Sequence, residues 1–322
     1  MYTLRFDLRA PMDGTPKAEL YSAALEMCAW GEQHGALAAV LSEHHGSPDG
    51  YLPAPIVLAS AIAARTERLG IILAALVLPL YDPVRLAEEL AVLDIVSRGR
   101  VSAVLVVGHR DEEYAHFGID PRRRGHIADE HLALLRDLLR GDVVEHDGRR
   151  IQLTPPPHTP GGPALMIGGA SAAAVRRAAR SGLGFIGQAA PPGLAEVYAE
   201  ACRAYGREPG PILLPDPADP TTIFVSDDVD GAWEELGPYL LYDAQAAAAW
   251  RPGEQVVASI SRARTIAELR STPGPYGIFT PEQARDHRAS GKGIGLHPLC
   301  AGLPPSIAWH YLRCAAEALG HG

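Results

Sequence analysis

Two histidines and a carboxylate stand together after the second apolar stretch of the chain. Glu43, His44 and His45 lie at the end of a strand that the sequence predicts over residues 37–43. An imidazole titrates near neutral pH, so this group suits general acid/base catalysis. An exposed polar turn and a zinc site are the alternative interpretations. We expect no metal there, because the sequence has neither an HExxH motif nor a Cys/His cluster with ligand spacing.

A glycine-rich turn follows the fifth predicted strand. Its residues Gly168, Gly169, Ala170 and Ser171 precede a helix predicted over residues 172–181. Backbone N–H groups, a hydroxyl and a helix N-terminus at one place can bind an anion, most often a phosphate. The alternative is an ordinary glycine turn in which Ser171 caps the helix. Three consecutive arginines over residues 122–124 are either a solvated face or a source of counter-charge for that anion.

Five further residues are candidates because of their residue types and their places next to predicted strands. Ala74 and Ala75 interrupt a run of bulky aliphatic residues, so a larger body, either core or ligand, could pack against the backbone there. His109 follows the fourth predicted strand and either lines a pocket or lies on the surface. We assign His109 and Tyr114 to substrate binding. Asp82 precedes a proline and reads as a helix N-cap.

The elements that must position these residues are apolar strands alternating with amphipathic helices. Strands are predicted over residues 2–9, 37–43, 69–78, 101–107, 163–168, 183–188, 221–226 and 275–279. Helices are predicted to begin at Thr15-Pro16, Asp82-Pro83 and Asp120-Pro121, and to cover 244–250 and 256–270. Asp147-Gly148 between two short strand-like pieces predicts a type I′ hairpin.

Eight strands with helical crossovers predict an α/β fold, a (β/α)8 TIM barrel with insertions. We expect one domain over residues 1–322, because no linker or repeat divides the chain. The runner-up is a doubly wound open sheet, but no GxGxxG motif follows the first strand. The absence of a GxSxG motif argues against a serine hydrolase, and the absence of GxxxxGK[ST] excludes a P-loop.

Composition narrows the function classes further. The chain has 322 residues, of which 47% are hydrophobic and 21% charged, and its formal net charge is −9. This acidic balance argues against a nucleic-acid binder or a protein that binds acidic membranes. The longest apolar run, Ile71–Leu80, is too short to cross a bilayer. The alternating N-terminus reads as a strand, not a signal peptide, and the four unpaired cysteines suit a cytoplasmic location.

Four stretches, in order and spacing, resemble the bacterial luciferase-like flavin-dependent monooxygenases. They are Ser42-Glu-His-His45, Leu78-Pro-x-x-Asp-Pro-Val-Arg-x-Ala-Glu-Glu89, Leu93-Asp-x-x-Ser-x-Gly-Arg100 and Phe117-Gly-Ile-Asp120. The glycine turn at 168–171 and the closing Pro298-Leu-x-x-Gly-Leu-Pro-Pro305 resemble the same family. The resemblance therefore spans nearly the whole chain.

The resemblance implies a luciferase-like barrel that binds reduced FMN and uses dioxygen to oxygenate a small organic substrate. It further implies a separate flavin reductase, a homodimer, and His44 as the residue that serves the oxygen chemistry. By the same resemblance, a non-proline cis peptide at Ala74-Ala75 lies against the flavin ring, and Gly169, Ala170 and Ser171 hold its phosphate. We also assign Glu43 and Gly168 to cofactor binding.

Departures from the family pattern are informative. Val106 and Val107 stand where relatives of the luciferase type place a cysteine and a phosphate-contacting arginine. The luciferase-like light reaction is therefore not expected. We place Val107 at the cofactor and take Arg124 as the replacement cation. Some relatives use a deazaflavin for hydride transfer, and a deazaflavin-dependent dehydrogenase or reductase is the alternative function. A non-catalytic flavin-binding protein is a third possibility.

Overall fold

The computed structural model describes residues 1–251 and 258–321. The chain divides into two compact units. The first unit comprises Met1–Val40, Ser47–Leu52 and Pro215–Gly322, and the second comprises Leu41–Gly46 and Pro53–Leu214. In the described part of the chain, no helix combines the length and the apolar character that spanning a membrane requires.

Strands and helices alternate along most of the chain. The strands are β1 (Tyr2–Phe6), β2 (Ala36–Leu41), β3 (Gly70–Val77), β4 (Val101–Val106), β5 (Val144–His146), β6 (Arg149–Ile151), β7 (Ala164–Gly169), β8 (Gly184–Gly187), β9 (Ile212–Leu213), β10 (Thr222–Val225), β11 (Tyr276–Phe279) and β12 (Gly295–Leu296). The helices are α1 (Lys17–Gln33), α2 (Pro55–Arg65), α3 (Pro83–Ser97), α4 (Asp111–His116), α5 (Arg124–Leu139), α6 (Ala172–Ser181), α7 (Leu194–Ala204), α8 (Val229–Ala249), α9 (Ile266–Ser271), α10 (Pro281–Ala289) and α11 (Pro305–Ala318).

Parallel pairing organises the sheet of the second unit. β4 lies between β3 and β7, and β8 lies between β7 and β9, all in parallel. Ala74 aligns with Val104, but Leu76 aligns with Leu105, so β3 carries one extra residue at Ala75. The Ala74–Ala75 peptide bond is cis, as predicted. The carboxyl ends of β3, β4 and β7 therefore lie side by side, where this class of fold places functional residues.

The first unit has its own parallel strands. β10 pairs with β11 and β12, and β12 pairs with β1. The inward side chains of β1, including Tyr2, Leu4 and Phe6, are buried. After β12, the chain turns sharply through Ala301 and Gly302, which both have a positive φ, before α11 begins.

The structure corrects several predicted boundaries. β9 and β12 were not predicted, because two residues are too few to show an alternating pattern. α1 begins at Lys17, since Thr15 Oγ1 donates to the Gly302 carbonyl and does not cap the helix. After Asp120, a 3-10 turn over Pro121–Arg123 precedes α5. Residues 256–257 of the helix predicted over 256–270 lie outside the described residues, and helix is found only over α9.

Other local predictions are confirmed. Asp82 caps α3 by accepting from the backbone N–H groups of Val84 and Arg85. The antiparallel β5–β6 hairpin turns at Asp147 and Gly148, whose φ angles of 50° and 70° suit a type I′ turn. The helix predicted over 244–250 forms the end of the longer α8.

Candidate active site

Glu43 joins the loop after β2 to the end of β3. Its buried carboxylate accepts a hydrogen bond from the Val77 N–H at 3.2 Å and one from the Tyr81 hydroxyl at 2.8 Å. His45 Nε2 lies 2.6 Å from the other carboxylate oxygen. Burial, and then the Glu43 carboxylate, raise the pKa of Tyr81, so its phenol stays protonated and donates. Glu43 is therefore held by three partners and fixes the position of the loop.

His44 pairs with a different carboxylate. Its Nδ1 lies 2.7 Å from Glu113 Oε1, on α4. The Glu113 side chain is fully buried, whereas 21% of the His44 side chain is exposed. A carboxylate accepts hydrogen bonds only, so this contact assigns a proton to His44 Nδ1. In the neutral ring, the lone pair then lies on Nε2, which is the form of a general base.

Three donors converge on one oxygen of Glu113. Besides His44, the His45 N–H donates at 2.9 Å and Arg110 Nη1 at 3.2 Å. Burial of the carboxyl opposes its ionisation, but the hydrogen bond and charge of His44 and the other donors outweigh burial. The pKa of Glu113 is consequently lower than its usual value, and the group is ionised at neutral pH.

The rings of His44 and His45 contact different aromatic side chains. The His44 ring lies edge to face with His109, with the ring centroids 6.0 Å apart. The His45 ring packs against Phe117 at 4.8 Å. His44 and His109 are thus brought together, and His45 is directed to a separate set of partners.

Sequence reasoning missed Glu113 and Arg110. Both lie on or next to α4, a helix of six residues in a polar stretch, and neither belongs to a recognisable motif. The signal that could have found Glu113 was an acidic residue directly before Tyr114, the aromatic residue of a short helix near His109. Sequence alone does not show that this carboxylate is buried.

Tyr114 has a buried position, and its predicted role in substrate binding stays a prediction. Its side chain is fully buried and packs with Val77, Leu80 and Val106. The hydroxyl donates to the Val107 carbonyl. Tyr114 therefore holds the backbone that follows β4 in place, with Val107 on the partly exposed side of that segment.

Gly168 and Gly169, the last two residues of β7, pack too closely against their neighbours to carry a side chain. A Cβ at Gly168 would lie 2.7 Å from a Val106 methyl and 2.8 Å from a Val104 methyl. Gly169 has a φ of 154°, and a Cβ there would lie 2.8 Å from the Ala174 methyl. The backbone of this turn therefore passes close to the end of β4, and only glycine allows that approach.

Ser171 caps α6, as predicted, and its side chain is exposed. Its Oγ accepts from the Ala174 N–H at 3.3 Å, which leaves the first N–H groups of this ten-residue helix directed toward the turn. Arg124 lies at the start of α5, where it forms an exposed ion pair with Asp111 at 3.0 Å. α5 lies beside α6, because Arg177 donates to the Gly125 carbonyl.

A family model for luciferase-like monooxygenases matches residues 5–289. The chain belongs to the luciferase-like monooxygenase family. The matched range of this luciferase-like chain includes the loop after β2, the cis peptide and the glycines at the end of β7.

One curated relative is informative about this family's chemistry. The oxygenase component of the flavin-dependent trigonelline monooxygenase of Acinetobacter baylyi is 28% identical over 151 residues, or 45% of this chain and 42% of the relative. The aligned part thus spans less than half of the length of the curated relatives that this luciferase-like chain matches.

Solved structures establish the fold. Monooxygenase RslO1 of Streptomyces bottropensis superposes with a TM-score of 0.78 and 21% identity, covering 99% of this chain and 98% of that one. The oxygenating constituent of 3,6-diketocamphane monooxygenase of Pseudomonas putida, in complex with FMN, has a TM-score of 0.69 and 16% identity, covering 98% and 97%. The predicted fold is confirmed: the protein is an α/β, (β/α)8 barrel of the luciferase-like type.

Proposed function

We propose that this protein is a monooxygenase that uses reduced FMN and dioxygen to oxygenate a small organic substrate. A separate reductase supplies the reduced flavin. Family membership supports flavin-dependent oxidoreductase chemistry. The A. baylyi relative is named as one component of a flavin-dependent monooxygenase, which supports the separate reductase. The FMN complex of a structure with the same fold supports FMN as the cofactor.

The residues present fit a flavin phosphate and ring. Gly168 and Gly169 let the backbone pass close to β4 and α6, which brings the N-terminus of α6 to the carboxyl ends of the strands. Ser171 opens that helix, and a helix N-terminus favours an anion. Along the neighbouring strands, Ala74, Ala75 and Val107 offer small or apolar surface for a flat ring. Bound reduced flavin supplies the electrons for the reduction of dioxygen.

The His44–Glu113 pair carries the proposal. Glu113 is the positioning residue, because it orients the ring and holds a proton on Nδ1. His44 Nε2 is then able to accept or return a proton beside the aliphatic ends of β3 and β4. Those side chains exclude water, which protects a reactive oxygenated species from decay. His109, edge to face with His44, is placed to contact a substrate that reaches the same imidazole.

The test compares His44→Ala with the matched control His45→Ala. With a flavin reductase, NADH and a panel of aldehydes and ketones, His44→Ala is expected to reduce product formation about 100-fold or more. Affinity for reduced FMN, from fluorescence quenching, stays within a few fold, and release of hydrogen peroxide rises. His45→Ala has a smaller effect on product, because Glu43 and not Glu113 holds that ring.

Other outcomes would reject parts of the proposal. Tighter binding of a deazaflavin than of FMN, with hydride transfer to a carbonyl substrate, would identify a dehydrogenase or reductase. FMN binding with no oxygen-dependent turnover on the panel would favour a flavin-binding protein without this activity. Equal activity of both histidine variants and the wild type would show that the pair forms only a polar turn.

We also propose a homodimer that uses the outer face of α2 and α3. These two helices pack against each other. Four aliphatic side chains on them are exposed: Val57, Val92, Ile95 and Val96. Val92 and Val96 are one helical turn apart and therefore share one face of α3, and an exposed apolar face of this kind is typical of a protein interface.

A further inference from the structure

Three different metal-ligating side chains meet inside the first unit. They are Asp243 on α8, His297 directly after β12, and Cys300 at the turn that follows. One donor atom of each lies within 4.8 Å of the other two, and all three residues are buried. Neither the proposed oxygenation nor the His44 site uses any of them.

His297 supplies an independent reason to expect a ligand. The residue is 0% exposed, and neither of its ring nitrogens makes a hydrogen bond to any part of residues 1–251 and 258–321. A buried polar atom without a partner is uncommon and calls for an explanation such as an ion. Nε2 lies 3.4 Å from Asp7 Oδ1, a contact between a charged group and the ring that does not meet hydrogen-bond geometry.

We propose that Asp243, His297 and Cys300 bind a divalent transition-metal ion, with zinc as the best match. One thiolate, one imidazole and one carboxylate form a typical mixed donor set for zinc. Zinc bonds of about 2.0–2.3 Å place tetrahedral ligands roughly 3.3–3.8 Å apart, so binding draws the donor atoms together by about 1 Å. Three protein ligands leave the fourth position to water.

The charges balance when the metal binds. The Cys300 thiol releases its proton to solvent, because the thiolate is the ligand. The dipositive ion is then neutralised by that thiolate and the Asp243 carboxylate. Without the ion, the carboxylates of Asp7, Asp49 and Asp243 surround Arg9, at 3.5–3.7 Å. Arg5 and Lys17 also interact electrostatically with these carboxylates, so their charges are balanced and the ion is bound through the Cys300 thiolate, the His297 ring and Asp243.

Outer contacts suit the proposed coordination. Tyr276 donates to Asp243 Oδ2 at 2.7 Å and orients that carboxylate, which leaves Oδ1 for the ion once Arg9, now at 3.5 Å, moves aside. Asp7 stands next to His297 Nε2. At 3.4 Å, Asp7 is close enough to accept from Nε2 after a small shift of the ring, and a carboxylate on the second nitrogen of a ligating histidine is a common feature of metal sites, so this neighbour assigns Nδ1 to the metal.

The experiment uses the full-length protein expressed in zinc-supplemented medium. Elemental analysis after gel filtration is expected to find one zinc per chain. After treatment with a chelator, cobalt(II) is expected to give thiolate-to-cobalt charge-transfer absorption in the near ultraviolet. Cys300→Ser removes that absorption, whereas the matched control Cys314→Ser, outside the cluster, keeps it. Asp7→Asn weakens zinc binding by about 10- to 100-fold.

Two results would overturn the proposal. One is folded wild-type protein that takes up no zinc and shows no cobalt–thiolate absorption. The other is zinc affinity unchanged in both Cys300→Ser and His297→Gln. Circular dichroism verifies that each variant is folded, and the chelator-treated wild type provides a test that needs no variant.

Discussion

His44 and Glu113 lie 69 residues apart in the chain, and their side chains share a hydrogen bond of 2.7 Å. The partly exposed imidazole is thereby fixed by a fully buried carboxylate. The pairing joins the loop after β2 to α4 and sets the orientation of the ring.

Glu113→Gln is expected to reduce the pH-dependent part of stability. The folded-state pKa of Glu113 lies below the unfolded value of 4.5, since its hydrogen bonds and charge partners outweigh burial. Its stabilising contribution is therefore complete above that unfolded value and is lost as pH falls through the folded pKa. In urea titrations, the free energy of unfolding of the wild type should exceed that of the variant most at neutral pH. The two values should converge as the pH falls into the acid range.

The matched control for that experiment is Glu112→Gln. Glu112 is the exposed neighbour of Glu113 on the same short helix. We expect the Glu112→Gln substitution to leave the pH dependence of the free energy of unfolding unchanged. An equal effect of both substitutions would show that the local charge of α4, and not the pairing with His44, produces the acid sensitivity.

Ser171→Asp is expected to weaken FMN binding strongly. The new carboxylate would repel a phosphate at the N-terminus of α6, where the helix dipole contributes about 0.3–1 kcal/mol to anion binding. Riboflavin, which has no phosphate, should lose much less affinity, and equilibrium quenching of flavin fluorescence measures both. Ser181→Asp, at the opposite end of α6, is the control. Equal losses for the two ligands would contradict the phosphate assignment.

Gly168→Ala is expected to destabilise the protein by about 1–3 kcal/mol, the usual cost of overpacking. The added methyl would meet Val104 and Val106 at less than 3 Å. Gly125→Ala on α5 is the contrast, since its nearest neighbour would lie 3.6 Å away and alanine favours a helix. The midpoint temperature of thermal unfolding should therefore fall for Gly168→Ala and rise for Gly125→Ala.

If the proposed dimer forms through α2 and α3, replacing Val92 and Val96 with lysine is expected to convert it to monomers. Both side chains are exposed on α3, and two charges on an apolar interface would remain desolvated and unpaired. Sedimentation velocity measures the mass of the protein in solution and so distinguishes dimer from monomer. Lysine at Val143, an exposed valine outside α2 and α3, is the control and should leave the mass unchanged. A wild type that sediments as a monomer would contradict the proposed interface.

The sequence predicted the fold and most of the secondary structure, but only some of the residues that meet at the candidate site. Asp82 and Ser171 were identifiable as caps because cap chemistry is local, and Asp147-Gly148 because the turn requires a positive φ. Glu113 was not identifiable, since its role depends on a contact with His44 across 69 residues. Likewise, His297 and Cys300 are three residues apart, but Asp243 joins them only after folding, and one such pair does not by itself indicate a metal site.

The separate carboxylate partners of His44 and His45 restrict how the loop after β2 can vary. A single-residue insertion between Leu41 and His44 would shift each imidazole by one place and offer it to the wrong carboxylate. A deletion would do the same in the opposite sense. Glu43, held by Val77 and Tyr81, prevents the loop from sliding to compensate. We therefore expect homologous chains that keep both pairs to keep this loop at constant length, while substitutions accumulate elsewhere in it.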